Sequence, residues 1–441
     1  MRKLGSYLWQ AKRGSCAVFF CGTVILALAL LVVSAFFPQT LITRHVLDSW
    51  EAVSLDNRHP TVADYSPASR LDTGTDAMML RASMSTRDDY LGSVLTNPIY
   101  TYGENGNDWD SIPDTVAQQA MGMPHSGVFY YSRYWMGFRV LLRFALTFLT
   151  YGQIKRYLAF AFLTLFVYTM IQIGKHGGSR LGFLFALSVI LVRPHVMATS
   201  MQYTCCFFIA FFAMLMIPWL RRNAQFETIF FMEVGMITMY LDFYTVPLIT
   251  FGFPMVYLCV LQGKNGEKLS VLRVLKRLFA WVAGYALMWI AKLTLTTVLT
   301  SVNSLYEGFS SFTARVGLEK RADLEEYYSL QKLWDALKDA IFADDIGRLV
   351  YVMGFMAILV FVLIRVRKNR VPGKCLRNGL PALFVAVMPV IWFLLTVQPT
   401  AIHAYFQYRT IALTYWAVGG YVDLILPATA KWEQTKVQQL R

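Results

Sequence analysis

The chain is poor in charge and in cysteine. Only 15% of its 441 residues are charged, whereas 56% are hydrophobic, and the mean hydropathy is +0.44. This composition excludes an ordinary soluble domain. The six cysteines fall in apolar runs or in one basic segment, and their spacing indicates neither a disulfide framework nor a zinc site. The sequence also has no low-complexity tract and no evident inverted repeat of the kind that marks many transporters.

Long apolar runs are what the sequence has in abundance. A helix needs about 20 mostly apolar residues to cross the hydrocarbon core of a bilayer. The first run resembles the core of a signal peptide, but it is too long and lacks a small-residue cleavage site, so we interpret it as a retained span. The runs predict an all-α polytopic membrane protein with about ten transmembrane helices, at residues 16–37, 157–174, 181–196, 200–219, 226–242, 244–261, 279–300, 347–364, 380–397 and 410–427.

The basic residues predict how these spans are oriented, because Lys and Arg are retained on the cytoplasmic side of a membrane. With the N-terminus inside, the inner loops receive most of the Lys and Arg residues, and the outer segment 38–137 receives a concentration of acidic residues. The net charge of +14 is therefore mainly a topology signal and gives no reason to expect a nucleic-acid partner. We expect a multi-pass protein of the cell membrane with both termini in the cytoplasm.

The spans divide the chain into five predicted parts. Residues 1–37 are the cytoplasmic N-terminus and first helix, and residues 38–156 are a large extracytoplasmic loop that ends in a juxtamembrane helix. Residues 157–300 are a transmembrane bundle, residues 301–346 a second extracytoplasmic loop, and residues 347–441 the C-terminal helices and cytoplasmic tail. A loop of about 100 residues is too long to be a simple connector, which favours a functional role.

The juxtamembrane helix is predicted at residues 138–151, where the run is apolar but short. Arg139, Arg143 and Thr147 recur at every fourth position and therefore share one stripe of a helix. Each Arg costs roughly 2.5–3.5 kcal/mol at the centre of a membrane span. The pattern predicts an amphipathic helix that lies in the outer membrane interface.

Asp76 is the candidate general base of the first loop, in the segment LDTGTDAMML. A carboxylate in a polar loop above the membrane can accept a proton from a substrate hydroxyl. The ordinary alternative is a helix cap, because Thr75 or Asp76 can satisfy the free N–H groups of a following helix. For an isolated Asp in a loop, the sequence favours the cap.

Asp242 and Lys292 are ionisable residues that occur inside apolar runs. Asp242 lies about 15 residues, or roughly 22 Å, along its run, which places it near the outer interface. There it either faces a cavity or partner, or is hydrated by headgroup water. Lys292 lies roughly 12 Å below the outer end of its helix and could reach a lipid phosphate, although snorkelling to the interface is the more ordinary account.

The segment QPTAIHAYFQYRTIALTY at residues 398–415 carries His403, Tyr408 and Arg409 before the last span. An Arg on the outer side departs from the charge rule, and a fixed guanidinium beside an imidazole suits a phosphate or pyrophosphate. Arg193 is expected at the same face. The alternative is a set of aromatic anchors with an Arg that contacts ordinary lipid headgroups.

The first loop rejoins the membrane through SRYWMGFRVLLR at residues 132–143. Arg133, Tyr134 and Arg139 lie in this segment, and we assign them, with Gln202 and Tyr408, to acceptor binding or to the membrane interface. Interfacial anchoring accounts for the aromatic residues. It accounts less well for the paired arginines.

Five segments together carry a family resemblance: TDAMML, SRYWMGFRVLLR, SMQYT, YLDFYTVPLITFG and HAYFQYR. With them, most of the chain resembles the GT-C superfamily of integral-membrane glycosyltransferases, in particular its poorly characterised bacterial members. The first outer loop of that superfamily carries a catalytic Asp, which corresponds to Asp76. Relatives often have a His where Met136 stands, and the paired acidic residues of better-known members are missing here. Asp72 or Asp242 would have to supply the second carboxylate.

The resemblance implies a donor sugar on a polyprenyl phosphate and a glycan or lipid-linked acceptor. Arg409 with His403, and with Arg193 or Lys292, would neutralise the departing phosphate. Membrane lipids are expected as further partners.

The resemblance also implies the roles of the carboxylates. Asp76 would take the proton of the acceptor hydroxyl as it attacks the anomeric carbon, with inversion. Asp242 would orient the acceptor or, together with Asp76, hold a divalent cation such as Mg²⁺ or Mn²⁺.

A transporter or flippase of lipid-linked saccharides, and a polysaccharide polymerase, remain alternatives. A carrier needs a polar route through the bundle, whereas most ionisable residues here stop at the outer half of the spans. Polymerases usually rely on a later outer loop rich in Arg and His, but residues 301–346 contain many acids. Both observations favour the transferase.

Overall fold

The computed structural model describes residues 2–49, 60, 67–85, 89–102, 112–342 and 373–439, with isolated positions between 352 and 367. Within these residues the fold is helical apart from one two-stranded antiparallel sheet, in which β1 (Pro98–Thr101) pairs with β2 (Gly127–Tyr130). The predicted all-α class is confirmed. The predicted span at 347–364 lies largely outside the described residues.

The described helices are numbered here in chain order. In the N-terminal part they are α1 (Arg2–Ala35), α2 (Gln39–Leu47), α3 (Thr73–Met84), α4 (Tyr90–Thr96), α5 (Ile112–Ala120), α6 (Phe138–Leu146), α7 (Tyr151–Gly177), α8 (Ser179–Ile190) and α9 (Pro194–Met197). In the C-terminal part they are α10 (Met201–Arg222), α11 (Glu227–Leu241), α12 (Leu248–Lys264), α13 (Val271–Leu299), α14 (Ser304–Arg315), α15 (Leu330–Phe342), α16 (Gly373–Leu395), α17 (Val397–Ile402), α18 (Ala404–Gln407) and α19 (Ala412–Gln439).

Several of these helices could cross a membrane. Four have the necessary length and hydropathy among the described residues, namely α7, α10, α13 and the Cys16–Ala35 part of α1. Helices α8, α12 and the Gly379–Leu395 part of α16 are apolar but shorter. Large apolar side chains such as Phe160, Phe279 and Val298 are more than 70% exposed, which is the surface expected of helices that face lipid.

Helix α12 forms the centre of the bundle. Every residue from 248 to 262 is buried, and the helix packs against α10, α16 and α19. A helix that is apolar all round has no face for water, so it is stable only when other helices or lipid surround it.

Helices α11 and α13 approach each other closely through two glycines. A Cβ atom at Gly235 would collide with the carbonyl oxygen of Trp281, and one at Gly284 would collide with that of Met232. Small residues at such a crossing let two helix backbones come into van der Waals contact, which is the usual basis of helix association in membranes.

The ends of several spans differ from the sequence prediction. Helix α7 begins at Tyr151 rather than at residue 157, because Thr150 and Gln153 form a capping box. Helix α8 ends at Ile190, before a turn in which Arg193 adopts a left-handed backbone with φ of 60°. Capping and turns are local features that hydropathy does not register.

The juxtamembrane helix α6 has nine residues and is about 14 Å long, too short to cross a hydrocarbon core of about 30 Å. Its apolar side chains Leu141 and Phe144 are exposed, whereas Arg139 and Arg143 are buried. The helix is amphipathic as predicted. Its polar stripe, however, faces the protein and not the lipid headgroups.

Candidate functional site

A cavity of about 950 Å³ opens where the first loop, the second loop and several helix ends meet. Helix α10 borders it with Gln202, Phe243 borders it just after the end of α11, and the segment after α16 contributes residues between Gln398 and Gln407. Its charged lining is predominantly basic. The cationic lining residues are Arg70, Arg133, Arg315, Lys320 and Arg321, and the acidic ones are Asp72, Glu307 and Glu319.

Two arginines and a group of tyrosines form one wall of this cavity. Arg315 Nη2 donates a hydrogen bond to Tyr134 Oη at 2.7 Å, and its guanidinium lies 4.9 Å from the ring centre of Tyr244. The Arg133 guanidinium lies 4.3 Å from the ring centre of Tyr131. Burial favours the neutral phenol of Tyr134, but the charges of Arg315 and Arg133 outweigh burial and lower its pKa.

Among the described residues, no ion pair includes Arg315, although its side chain is partly buried. Arg133, by contrast, is paired with Glu307, with 2.9 Å between Nη1 and Oε1. An enclosed guanidinium that lines a cavity without a counter-charge suits an anionic ligand, because a paired guanidinium costs less to bury than a single one.

Glu307 joins the two loops. Its Oε2 accepts a hydrogen bond from Ser132 Oγ at 2.6 Å, and Ser132 Oγ also lies 2.9 Å from Ser304 Oγ. Ser132 and Arg133 belong to the first loop, and Ser304 and Glu307 to the start of α14. These contacts hold the second loop against the first and so define the cavity between them.

Asp72 is the carboxylate that caps α3, and it lines the cavity. It accepts hydrogen bonds from the backbone N–H of Thr75 at 3.0 Å and from Tyr405 Oη at 3.3 Å. The predicted cap was Thr75 or Asp76, and that interpretation is wrong. Asp76 lies inside the first turn of the helix, where the backbone N–H groups are satisfied by Asp72.

Asp76 lies one helical turn after Asp72 and is buried, outside the lining of the cavity. Its Oδ2 accepts hydrogen bonds from Tyr151 Oη at 2.8 Å and from the Met201 N–H at 3.4 Å. Its Oδ1 has no hydrogen-bond partner among the described residues. Burial raises the pKa of Asp76 from 3.8 to about 6, although the charge of Lys155 and the hydrogen bond from Tyr151 oppose the rise.

The structure brings four of the sequence-predicted residues together in the cavity lining: Arg133, Tyr134, Gln202 and His403. The imidazole of His403 stacks on Phe406 with 5.2 Å between ring centres. These residues are separated by up to 270 positions in the sequence. Their convergence agrees with the expectation that the first loop and the 398–415 segment lie at one face.

Arg409 and Tyr408 lie behind this lining. Arg409 is buried and donates to the carbonyl oxygens of Tyr405 at 2.8 Å and Ala68 at 3.0 Å. Its guanidinium lies 4.5 Å from the ring centre of Tyr203. Tyr408 Oη donates to the carbonyl oxygen of Val192 at 3.3 Å. Arg409 therefore holds the backbone beside the cavity. The sequence had predicted that it contacts the donor phosphate directly.

Lys292 and Arg193 also lie outside the lining. Lys292 is fully buried, and its Nζ donates to the carbonyl oxygens of Val94 at 3.1 Å and Leu95 at 2.6 Å at the end of α4. It thus neither snorkels nor lines the cavity, because the end of a helix offers carbonyl groups that need donors. Arg193 starts the short helix α9.

Arg139 and Asp242 have structural partners of their own. Arg139 donates to Asn97 Oδ1 at 3.0 Å and to the Ser85 carbonyl oxygen at 3.1 Å. Asp242 is buried at the end of α11 and accepts from both the backbone N–H and the hydroxyl of Thr245. Neither residue lines the cavity.

The predicted divalent-cation site does not fit this arrangement. Asp76 and Asp242 bind different partners, and no cluster of three or more His, Cys, Asp or Glu residues occurs among the described residues. Mg²⁺ is usually held by carboxylates that converge on one point. We therefore derive no step through a metal ion.

No family model, curated protein or solved structure matches the chain. The cavity geometry and the short sequence segments are thus the basis for a functional proposal. Arg315 and Glu307 are among the lining residues that the sequence interpretation did not assign to the site, because both lie in a polar segment with many charges of each sign. The amphipathic pattern of α14 was the available signal.

Proposed function

We propose that this protein is a membrane glycosyltransferase that moves a sugar from a polyprenyl-phosphate donor to a glycan or lipid-linked acceptor. The observation that carries the proposal is one cavity lined by the Arg315 guanidinium, which forms no ion pair with a described residue, and by the carboxylate of Asp72. Glycosyl transfer needs these two groups at one site: a cation for the departing phosphate and a base for the attacking hydroxyl.

The phosphate end of the donor would bind at the arginine–tyrosine wall. Arg315 offers an enclosed positive charge, and Arg133 and Tyr134 lie beside it. In a site of low dielectric, such fixed charges stabilise the negative charge that develops as the phosphate departs. His403 lines the same cavity and supplies a further hydrogen-bonding group. Arg409 acts behind it as a positioning residue.

The base would be Asp72, with Asp76 behind it. Asp72 accepts the proton of the acceptor hydroxyl while the hydroxyl oxygen bonds to the anomeric carbon and the carbon–phosphate oxygen bond breaks. The configuration at that carbon inverts, because attack and departure occur on opposite faces. Asp76 accepts a hydrogen bond from Tyr151 and would set the position and charge of this end of α3.

The proposed topology has ten spans, both termini in the cytoplasm and the cavity on the extracytoplasmic side. The cavity lies at the start of α10 and at the ends of α11 and α16. The basic residues Lys175, Arg222 and Lys264 lie at the opposite ends of α7, α10 and α12. Retention of Lys and Arg in the cytoplasm supports this orientation.

Donor binding is the first test. Purified protein in nanodiscs is titrated with undecaprenyl phosphate while Tm is recorded. The wild type is compared with Arg315→Gln, Asp72→Asn and a control, Arg222→Gln. The control alters an exposed residue at the opposite end of α10. We expect stabilisation of the wild type, Asp72→Asn and the control, and its loss in Arg315→Gln. No stabilisation of the wild type would remove the donor from the proposal.

Transfer is the second test. Membranes that contain the protein are given radiolabelled hexoses or pentoses on polyprenyl phosphate, and label is followed into glycan and lipid acceptors. Asp72→Asn keeps the helix cap, because Asn caps as well as Asp, and should lower the rate about 10²–10⁴-fold. Unchanged transfer by this variant would refute the base assignment. Label that crosses the membrane still attached to its lipid would favour a flippase, and polymeric product a polymerase.

A further inference from the structure

A second, smaller cavity lies between α7 and α10, with α12 behind it. Its volume is about 150 Å³, and it shares no lining residue with the large cavity. Thr169, Gln172 and His176 line it from α7, Met214 and Pro218 from α10, and Tyr257 from α12. The proposed glycosyl transfer uses none of these residues.

The lining of this cavity contains polar groups without partners. Thr169 Oγ1 and Tyr257 Oη have no hydrogen-bond partner among the described residues, and their side chains are at most 1% exposed. Pro218 has no N–H, so it cannot donate the helical hydrogen bond to the carbonyl of Met214 four residues earlier. Each unsatisfied polar group costs several kcal/mol in hydrocarbon, which favours a polar occupant.

The cavity lies near the basic ends of the helices. Thr169 is eight residues from the end of α7, roughly 12 Å, and Pro218 is four residues from the end of α10, roughly 6 Å. Arg221 is close enough to Tyr257 to interact with it electrostatically. His176 is exposed at the edge of the cavity. The cavity therefore extends from the headgroup region at the basic helix ends into the adjoining part of the hydrocarbon core.

We infer that this cavity binds the phosphate group of an anionic phospholipid in the leaflet at the basic ends of the helices. The two hydroxyls can donate to phosphate or ester oxygens, and Arg221, which interacts electrostatically with Tyr257, supplies positive charge nearby. The volume suffices for a phosphate, since an apolar cavity of about 150 Å³ holds benzene, which has more heavy atoms. Basic pockets between transmembrane helices commonly bind such headgroups.

The test uses the full chain in detergent, titrated with short-chain phosphatidylglycerol and followed by native mass spectrometry and Tm. The variant Thr169→Val/Tyr257→Phe removes both hydroxyls with little change of shape. The control Tyr157→Phe removes an exposed hydroxyl from the other end of α7. We expect one tightly held lipid in the wild type and the control, and at least five-fold weaker binding in the double variant.

The Tm values separate lipid binding from a folding defect. Without lipid, the double variant should be at least as stable as the wild type, because unsatisfied hydroxyls have been removed. With lipid, only the wild type and the control should gain stability. An equal gain in all three proteins would refute the proposal and leave water as the occupant. If inorganic phosphate or phosphatidylcholine raised the Tm of the wild type as much as phosphatidylglycerol does, the assignment of an anionic lipid would be refuted.

Discussion

At the scale of residues, arginine carries much of the buried polar structure of the first loop. Arg81, Arg139 and Arg143 are each at most 2% exposed, and each donates to at least one backbone carbonyl oxygen. Arg143 donates to the carbonyl oxygens of Ser34 in α1 and Ser83 in α3, and so connects these two helices. A guanidinium has five N–H donors in a fixed plane, so one side chain can satisfy several backbone carbonyl groups from different segments.

Asp76 gives a prediction about pH at this scale. Its pKa in the folded protein, about 6, lies above the ordinary 3.8, so folding favours the protonated form. Protonation of Asp76 therefore contributes about 3 kcal/mol to the free energy of unfolding. This contribution is fully present below about pH 4 and is lost as the pH rises through about 6. Asp76→Asn resembles the protonated form and should exceed the wild type in Tm above pH 6, with the difference vanishing towards pH 4.

The measurement is Tm in detergent from pH 4 to pH 8. The control is Asp323→Asn, an exposed carboxylate beside Arg321 whose replacement should leave the pH profile almost unchanged. A Tm difference between Asp76→Asn and the wild type that stayed constant across this range would show that the Asp76 pKa is not raised.

At the scale of elements, hydropathy predicted where helices occur better than it predicted which side of a helix packs against protein. The sequence identified α6 as a short amphipathic helix of the outer membrane interface, but it did not determine what its arginine stripe faces. The structure turns Arg139 and Arg143 inwards and exposes Leu141 and Phe144. The periodicity of a helix shows that its two faces differ. It does not show whether lipid or protein lies against the polar face, because that depends on segments distant in sequence.

The crossing of α11 and α13 gives a prediction at the element scale. Gly235→Ala and Gly284→Ala each place a methyl group against a backbone carbonyl of the other helix, which cannot move away as a side chain can. Each should destabilise the protein by about 1–3 kcal/mol, the usual cost of overpacking.

The control for this crossing is Gly22→Ala in α1, where a Cβ would meet nothing within 4 Å. Alanine favours the helix there and should be neutral or stabilising by up to about 1 kcal/mol. Thermal unfolding in one detergent compares the three variants. If Gly235→Ala and Gly284→Ala matched the control, the close approach of the two helices would be wrong.

At the scale of the whole molecule, the proposed topology places the large cavity and the basic helix ends on opposite sides of the membrane. Lys320 lines the cavity, and Arg222 is exposed at the other end of the bundle. In a background without the native cysteines, a membrane-impermeant maleimide applied to intact cells should label Lys320→Cys and not Arg222→Cys. Permeabilisation should expose both. Labelling of Arg222→Cys in intact cells would invert the orientation.

The sequence by itself determined the helical class, the apolar runs and the approximate positions of most helices, because hydropathy is a property of neighbouring residues. It also indicated that the first loop and the 398–415 segment contribute to one site. Only the tertiary structure decided which charged groups share the cavity: Arg315 and Asp72 line it, whereas Lys292 and Arg409 bind backbone carbonyls. A buried cation can be satisfied by an acid, a carbonyl or a ligand, and chain folding alone determines which of these is within reach.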